Sequence, residues 1–256
     1  MSVSSEQKRK EGGLAETLRV IFHALVIAVV IRTVLFQPFN IPSGSMKATL
    51  LIGDYLFVSK YSYGYSHYSL PFSPPIFSGR IFGSEPNRGD VLVFRLPKDD
   101  STDYIKRVIG LPGDRIQMIS GVLQINGEPV KRERIADFVG EDPCGSGTRS
   151  NAVRVKHWRE TLPNGVAYES LDCVDNGFYD NTPVYTVPAG HYFMMGDNRD
   201  NSTDSRVLSQ VGYVPFENIV GRAQIIFFSV REGERAWEIW RWPWSVRWDR
   251  LFTIVR

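Results

Sequence analysis

The chain has 256 residues, 43% of them hydrophobic, and its 30 Lys and Arg against 28 Asp and Glu leave a formal net charge of +2. That apolar fraction supports a packed core in one large or two small domains and excludes a disordered chain. The basic residues are scattered among acidic ones and form no stripe, so no nucleic-acid partner is expected.

The N-terminal segment carries Lys8, Arg9 and Lys10, followed by an apolar stretch over residues 14–36 whose centre, 20–31, is interrupted only by His23. That centre alone would suit a secretory-signal core or a buried helix. The full stretch is long enough to cross a bilayer, with Arg19 and Arg32 placed to snorkel to its two faces and His23 a tolerated polar residue. A cleaved signal needs small residues before its cut, and Thr33-Val34-Leu35-Phe36-Gln37-Pro38 offers none. The expectation is an uncleaved transmembrane anchor over 14–36. A cytoplasmic tail over 1–13 is held inside by its basic cluster, and the rest of the chain faces outside.

Beyond the anchor, apolar, aromatic or β-branched runs at 55–59, 91–96, 115–120, 122–125, 184–187, 192–195 and 219–230 alternate with Gly, Pro, Asn and Asp turn signals. Asn126-Gly127 between two such segments is a hairpin signal. No helical periodicity follows residue 36, so the fold class is mainly β: an antiparallel core over 37–120 and 186–230. Residues 61–88, rich in Tyr, Ser, Pro and Gly, read as an exposed loop, and 121–185 as a smaller inserted β subdomain. The insert holds Cys144 and Cys173, which either pair in an oxidising compartment or stay as separate thiols. A tail over 231–256 sets tryptophan beside arginine, a pattern suited either to a bilayer headgroup region or to packing on the β core.

The chemistry narrows by exclusion. Four histidines, His23, His67, His157 and His191, are dispersed without a metal-ligand spacing, and no Gly-rich phosphate loop occurs, so no metal or cofactor is implied. Asp197 to Ser202 lacks the glycine and glutamate of a calcium loop. Ser45 stands in Phe39-Asn40-Ile41-Pro42-Ser43-Gly44-Ser45-Met46, close to the membrane exit, without the G-x-S-x-G elbow that would pair it with histidine. Lysine is the remaining base. Lys106, in Tyr104-Ile105-Lys106-Arg107-Val108, points to the strand face opposite Ile105, and this segment alone reads as an ordinary exposed strand lysine.

Five ordered blocks change that reading: residues 37–46, 53–58, 88–94, 104–114 and 196–206, the last being Gly-Asp-Asn-Arg-Asp-Asn-Ser-Thr-Asp-Ser-Arg. In these the chain resembles bacterial signal peptidase I, the membrane-bound serine/lysine protease that removes signal peptides from exported proteins. Lys47-Ala48 departs from a proline that the family often carries there. The resemblance implies Ser45 as nucleophile and Lys106 as general base, with Ser202 orienting the lysine and Asp204 and Arg206 supporting the loop. It implies an oxyanion hole from the Ser45 N–H and the Ser43 hydroxyl. Ile41, Leu50, Tyr104 and Ile105 would line shallow pockets for small residues, although Leu50 and Ile105 also suit ordinary core packing. A free lysine is neutral in only about one molecule in a few thousand at pH 7, so burial has to lower its pKa by several units. The implied partners are signal-peptide-bearing preproteins, the lipid bilayer and a neighbouring export machinery. The implied location is the bacterial inner membrane with the catalytic domain outside. A related serine/lysine processing peptidase, or an inactive anchored binding domain, are the alternatives.

Overall fold

The computed structural model describes residues 13–140, 144 and 153–256. The expected cytoplasmic tail, with Lys8, Arg9 and Lys10, lies outside the described residues except for Gly13.

Leu14–Val30 forms α1, which runs on as a π-helical turn over Ile31–Leu35, and no residue of either is buried. The 22 residues from Leu14 to Leu35 extend about 33 Å at 1.5 Å per residue, enough for a hydrocarbon layer of about 30 Å. Among the described residues α1 buries no side chain, and a helix so apolar and so exposed suits a lipid surrounding. His23 sits inside it, and its Nδ1–H donates to the Arg19 carbonyl over 2.7 Å.

The anchor passes into β1 (Phe36–Asn40) without a linker. Its last turn is tied to the β core, because the Leu35 carbonyl accepts from the Lys60 N–H at 3.0 Å and the Val34 carbonyl from the Tyr65 hydroxyl at 2.9 Å. The remaining strands follow as β2 (Asp54–Ser59), β3 (Val91–Arg95), β4 (Asp103–Gly110), β5 (Arg115–Ile119), β6 (Val122–Ile125), β7 (Glu128–Pro129), β8 (Lys131–Arg134), β9 (Phe138–Gly140), β10 (Val153–Thr161), β11 (Ala167–Asp172), β12 (Tyr185–Thr186), β13 (His191–Met195), β14 (Val214–Pro215), β15 (Ile219–Ser229) and β16 (Thr253–Ile254). Eight form one sheet in the order β1-β2-β15-β3-β4-β13-β14, with β16 also on β15. Every named pair is antiparallel. β15 shifts register against β2 between Ala223 and Ile225 and again between Ile226 and Phe228, bulges that bend a long strand.

Two four-stranded sheets complete the fold, one of β12-β5-β6-β7 and one of β11-β10-β8 with β9 on β10. The Asn126-Gly127 hairpin joins β6 to β7, both residues adopting the positive φ (59° and 88°) that such two-residue turns require. The expected boundary at 120/121 falls between two paired strands, β5 and β6. One apolar cluster joins Ile116, Leu123, Leu162 and Tyr168 to Ile109, Phe193 and Met195 of the main sheet. The inserted region is too small to bury its apolar side chains alone, and sharing a core recovers roughly 1.5–3 kcal/mol for each.

Strands β8 to β11 have no clear signature in the sequence. Lys131-Arg132-Glu133-Arg134 is charged throughout, and pairing with β10 imposes its strand geometry. Cys144 and Cys173 form a disulfide. Residues 61–88 are irregular, as expected, but not exposed throughout. Tyr63, Ser66 and Tyr68 are buried, and the Arg80 guanidinium donates to the carbonyls of Tyr63, Gly64, Phe216, Glu217 and Ile219, fastening the loop to the sheet. The tail packs on the core through buried Val246 and Val255 and through Arg250, which donates to Asp54 Oδ2 at 2.6 Å, while Trp237, Trp240, Trp244 and Trp248 face outward. It contains a single four-residue helix, α2 (Trp242–Ser245).

Candidate active site

Ser45 lies in a 3-10 turn, Gly44–Met46, immediately after the run that leaves β1. Proline and two small residues before it leave no side chain to obstruct that turn. Asn198 clamps it from the opposite loop: its N–H donates to the Ser45 carbonyl at 3.1 Å and its Nδ2 to the Gly44 carbonyl at 3.0 Å. Gly196 permits the close approach, since a Cβ there would stand 2.5 Å from the Ser45 carbonyl oxygen and 2.2 Å from Ser202 Oγ. Ser45 is 7% exposed.

Lys106 reaches the same point from β4, 4% exposed, and its Nζ donates to Ser45 Oγ over 2.6 Å. Strand alternation is the reason it arrives there while Arg107 beside it points into the core. Removal from water pushes the Lys106 ammonium down to about 8. Arg206 reinforces this, and Asp204 and Asp197 oppose it. At that value about one molecule in ten is neutral at pH 7, a gain of a few hundredfold over a free lysine. In the neutral form the contact reverses, the Ser45 hydroxyl donating to the amine lone pair, which is the geometry a general base needs.

Two buried charge pairs hold the surrounding loop. Arg206 grips Asp204 with two bonds of 2.9 Å, and Asp204 Oδ2 also accepts from the Gly196 N–H at 3.0 Å. Burial alone would raise the Asp204 carboxyl, but Arg206 and these hydrogen bonds outweigh it and hold it below the usual range. Sequence reasoning assigned no role to the second pair. Arg107, fully buried, donates Nε and Nη2 to the two oxygens of Asp197 at 2.8 and 2.7 Å, Nη1 to the Gly89 carbonyl and Nη2 to Thr49 Oγ1. The signal was an arginine beside the candidate lysine on one strand, facing inward, together with an aspartate in the last motif block. Nothing in the sequence pairs the two. Asn198 lies in the last motif block, and nothing in the sequence marks it or Thr49 as a partner of the site.

Ser43 is placed with its Oγ 3.5 Å from Ser45 Oγ. Ser202 is buried beside the dyad, but its Oγ has no hydrogen-bond partner among the described residues, so the expected bond to Lys106 is not made. What contacts the ammonium instead is Ser45 itself and the Tyr104 ring, 5.4 Å from its centroid.

A cavity of about 380 Å³ opens in front of the dyad, walled by Phe39 to Ser45 on one side and Thr102 to Lys106 on the other. Ile41, Tyr104 and Ile105 are among the residues that line it. Leu50 lies in the apolar cluster behind it, fully buried with Met46 and Leu56. Among the described residues both walls are strand edges: β1 pairs only with β2, and β13 covers β4 only from Arg107 onward. An extended peptide entering here would add a strand between them, with alternate side chains directed into the cavity. Among the described residues no cluster of His, Cys, Asp or Glu could hold a metal ion.

Comparison with known proteins matches residues 14–228 to the family described as signal peptidase, peptidase S26. Signal peptidase I of Rickettsia typhi is 49% identical over 215 residues, covering 81% of this chain and 77% of that protein. The corresponding proteins of Rickettsia conorii and Rickettsia prowazekii are each 48% identical over 215 residues with the same coverage.

Proposed function

We infer that this chain, a member of the signal peptidase family S26 and a serine endopeptidase that removes signal peptides, works from its membrane anchor through a serine/lysine dyad. We propose that Ser45 is its nucleophile and Lys106 its general base. The observation that carries this assignment is the 2.6 Å contact between Lys106 Nζ and Ser45 Oγ at a site where burial favours the neutral amine.

The preprotein segment enters extended between β1 and β4, which brings the scissile carbonyl to Ser45 Oγ. The bond from Oγ to the carbonyl carbon forms as the hydroxyl proton passes to Lys106 Nζ. Negative charge then develops on the carbonyl oxygen and is met by the Ser45 N–H and the Ser43 hydroxyl. Collapse breaks the C–N bond and Lys106 returns the proton to the departing amine. Lys106 Nζ next takes a proton from water as the water oxygen attacks the acyl-enzyme ester carbon; the bond from that carbon to Ser45 Oγ then breaks and Lys106 returns the proton to Oγ, which restores both residues. Ile41, Tyr104 and Ile105 leave the cavity shallow and apolar, which favours small side chains before the cut. Asp204 and Arg206 hold the loop that shapes the site.

The topology we infer places the N-terminus in the cytoplasm and the catalytic domain outside the inner membrane. The Lys8-Arg9-Lys10 cluster on one side of the span supports this. A site anchored directly to the end of the span also suits a substrate presented at the membrane beside the export machinery.

The test is cleavage of a purified preprotein by the detergent-solubilised protein beside folded Ser45→Ala and Lys106→Ala variants, with the cut located by mass spectrometry. Cleavage after a small residue, lost in both variants, is the expected result. Retained cleavage in Lys106→Ala would remove the lysine from the base role.

A further inference from the structure

We propose that a second cleft, at the junction of the anchor and the β core, binds the phosphate of a bilayer lipid headgroup through Arg32, Lys60 and Arg95. This cleft has a volume of about 380 Å³, and its walls include Arg32 and Thr33 from the last turn of the anchor, Lys60 just beyond β2, and Arg95 and Asp103 from the facing ends of β3 and β4.

Arg32, Lys60 and Arg95 outnumber the two carboxylates that line the same cavity, Asp100 and Asp103. Burial brings the Lys60 ammonium down to about 8, and Arg32 and Arg95 both push it further the same way while Asp103 opposes them. The nearby carboxylates are already engaged. Asp103 pairs with Arg95 at 3.4 Å, and Asp100 Oδ1 accepts from the Tyr68 hydroxyl at 2.8 Å and from Asn218 Nδ2 at 3.2 Å. Lys60 Nζ donates to the Ser69 carbonyl at 2.6 Å, which leaves two of its three protons for an incoming acceptor. Arg32 has no ion pair or hydrogen bond among the described residues.

Two further polar atoms are buried without a partner, Arg95 Nε and Thr33 Oγ1, and both residues line this cleft. Leaving such groups unsatisfied is costly. A phosphate diester offers a full negative charge and acceptor oxygens to three cations and a hydroxyl at once.

The position of the cleft identifies the source of that phosphate. Its wall includes the final turn of a 22-residue span, the depth at which headgroup phosphates lie, and basic pockets at that depth are suited to anionic headgroups. Asp103 lines both this cleft and the substrate cavity. A bound headgroup would therefore fix the height of the catalytic site above the bilayer surface.

The experiment uses the full chain, delipidated in a non-ionic detergent, with lipid retention read by native mass spectrometry. The probes are dioleoylphosphatidylglycerol, dioleoylglycerol with the same chains and no phosphate, and inorganic phosphate as competitor. One retained phosphatidylglycerol per chain is expected, with little retention of dioleoylglycerol and no displacement by millimolar phosphate. Arg32→Gln should weaken retention about fivefold, and Lys60→Met at least as much. Cleavage of a soluble peptide by Arg32→Gln should be unchanged, which separates this result from the catalytic assignment. Equal retention by Arg32→Gln, or of dioleoylglycerol, would overturn the proposal, and displacement by inorganic phosphate would overturn the lipid as its source. Arg32 is exposed and lies outside the β core, so that variant decides the matter even if Lys60→Met fails to fold.

Discussion

Replacing Lys106 with methionine, close in shape and uncharged, should stabilise the protein near neutral pH, and the gain should fade as the pH rises. Lys106 titrates near 10.5 in the unfolded chain and at about 8 in the folded protein, chiefly because burial disfavours the ammonium. Between those values the unfolded chain binds more protons than the folded one, so stability rises with pH. The penalty carried by the folded protein is complete below about 8 and gone above 10.5. That difference corresponds to about 3 kcal/mol at pH 7 and roughly half as much at pH 9.5. Methionine also deprives the Ser45 hydroxyl of its partner, a loss of about 1 kcal/mol that does not vary over this range. The quantity to read is therefore the change with pH: the difference between variant and wild type should shrink by roughly 2 kcal/mol from pH 7 to 9.5. Urea unfolding in a fixed detergent, followed by tryptophan fluorescence, measures it. The kcat/KM of the wild type for a soluble peptide should rise with pH toward a plateau above about 8 over the same interval. A difference independent of pH, or an ascending limb still rising near 10.5, would refute the argument that burial creates the base.

The proposed role of the Ser43 hydroxyl as an oxyanion donor predicts that Ser43→Ala lowers kcat by roughly 100-fold or more with little change in KM, and steady-state kinetics would expose an unaltered kcat. Arg107→Leu leaves the Asp197 carboxylate buried without its bidentate partner, so thermal or urea unfolding should register a loss of about 3–5 kcal/mol. A loss below about 1 kcal/mol would mean that the pair contributes little. Changing Trp237, Trp240, Trp244 and Trp248 together to Ser should weaken binding of the anchor-free domain to liposomes while leaving its unfolding midpoint nearly unchanged, since all four rings are exposed. Unchanged liposome binding would eliminate the tail as a docking surface. Point substitutions suit this test better than truncation, because Val246, Val255 and Arg250 of the same tail hold it to the core.

Local chemistry made much of this protein legible in one dimension. A span free of acidic residues over 20–31, strand runs separated by Gly, Pro and Asn signals, and the Asn126-Gly127 turn all follow from preferences that a short segment expresses by itself. Ser45 and Lys106 became legible through five motif blocks, because the segment around Lys106 is otherwise an ordinary strand. The charged strand β8 and the fastening of residues 61–88 by Arg80 were not readable, since each depends on partners far away in the chain. The same holds for Arg107 with Asp197 and for Asn198 over the Ser45 turn, whose partners lie 90 and more than 150 residues apart. The depressed pKa of Lys106 is likewise a tertiary property. The residue type supplies an amine, but only the assembled sheet removes it from water and sets it 2.6 Å from the Ser45 hydroxyl.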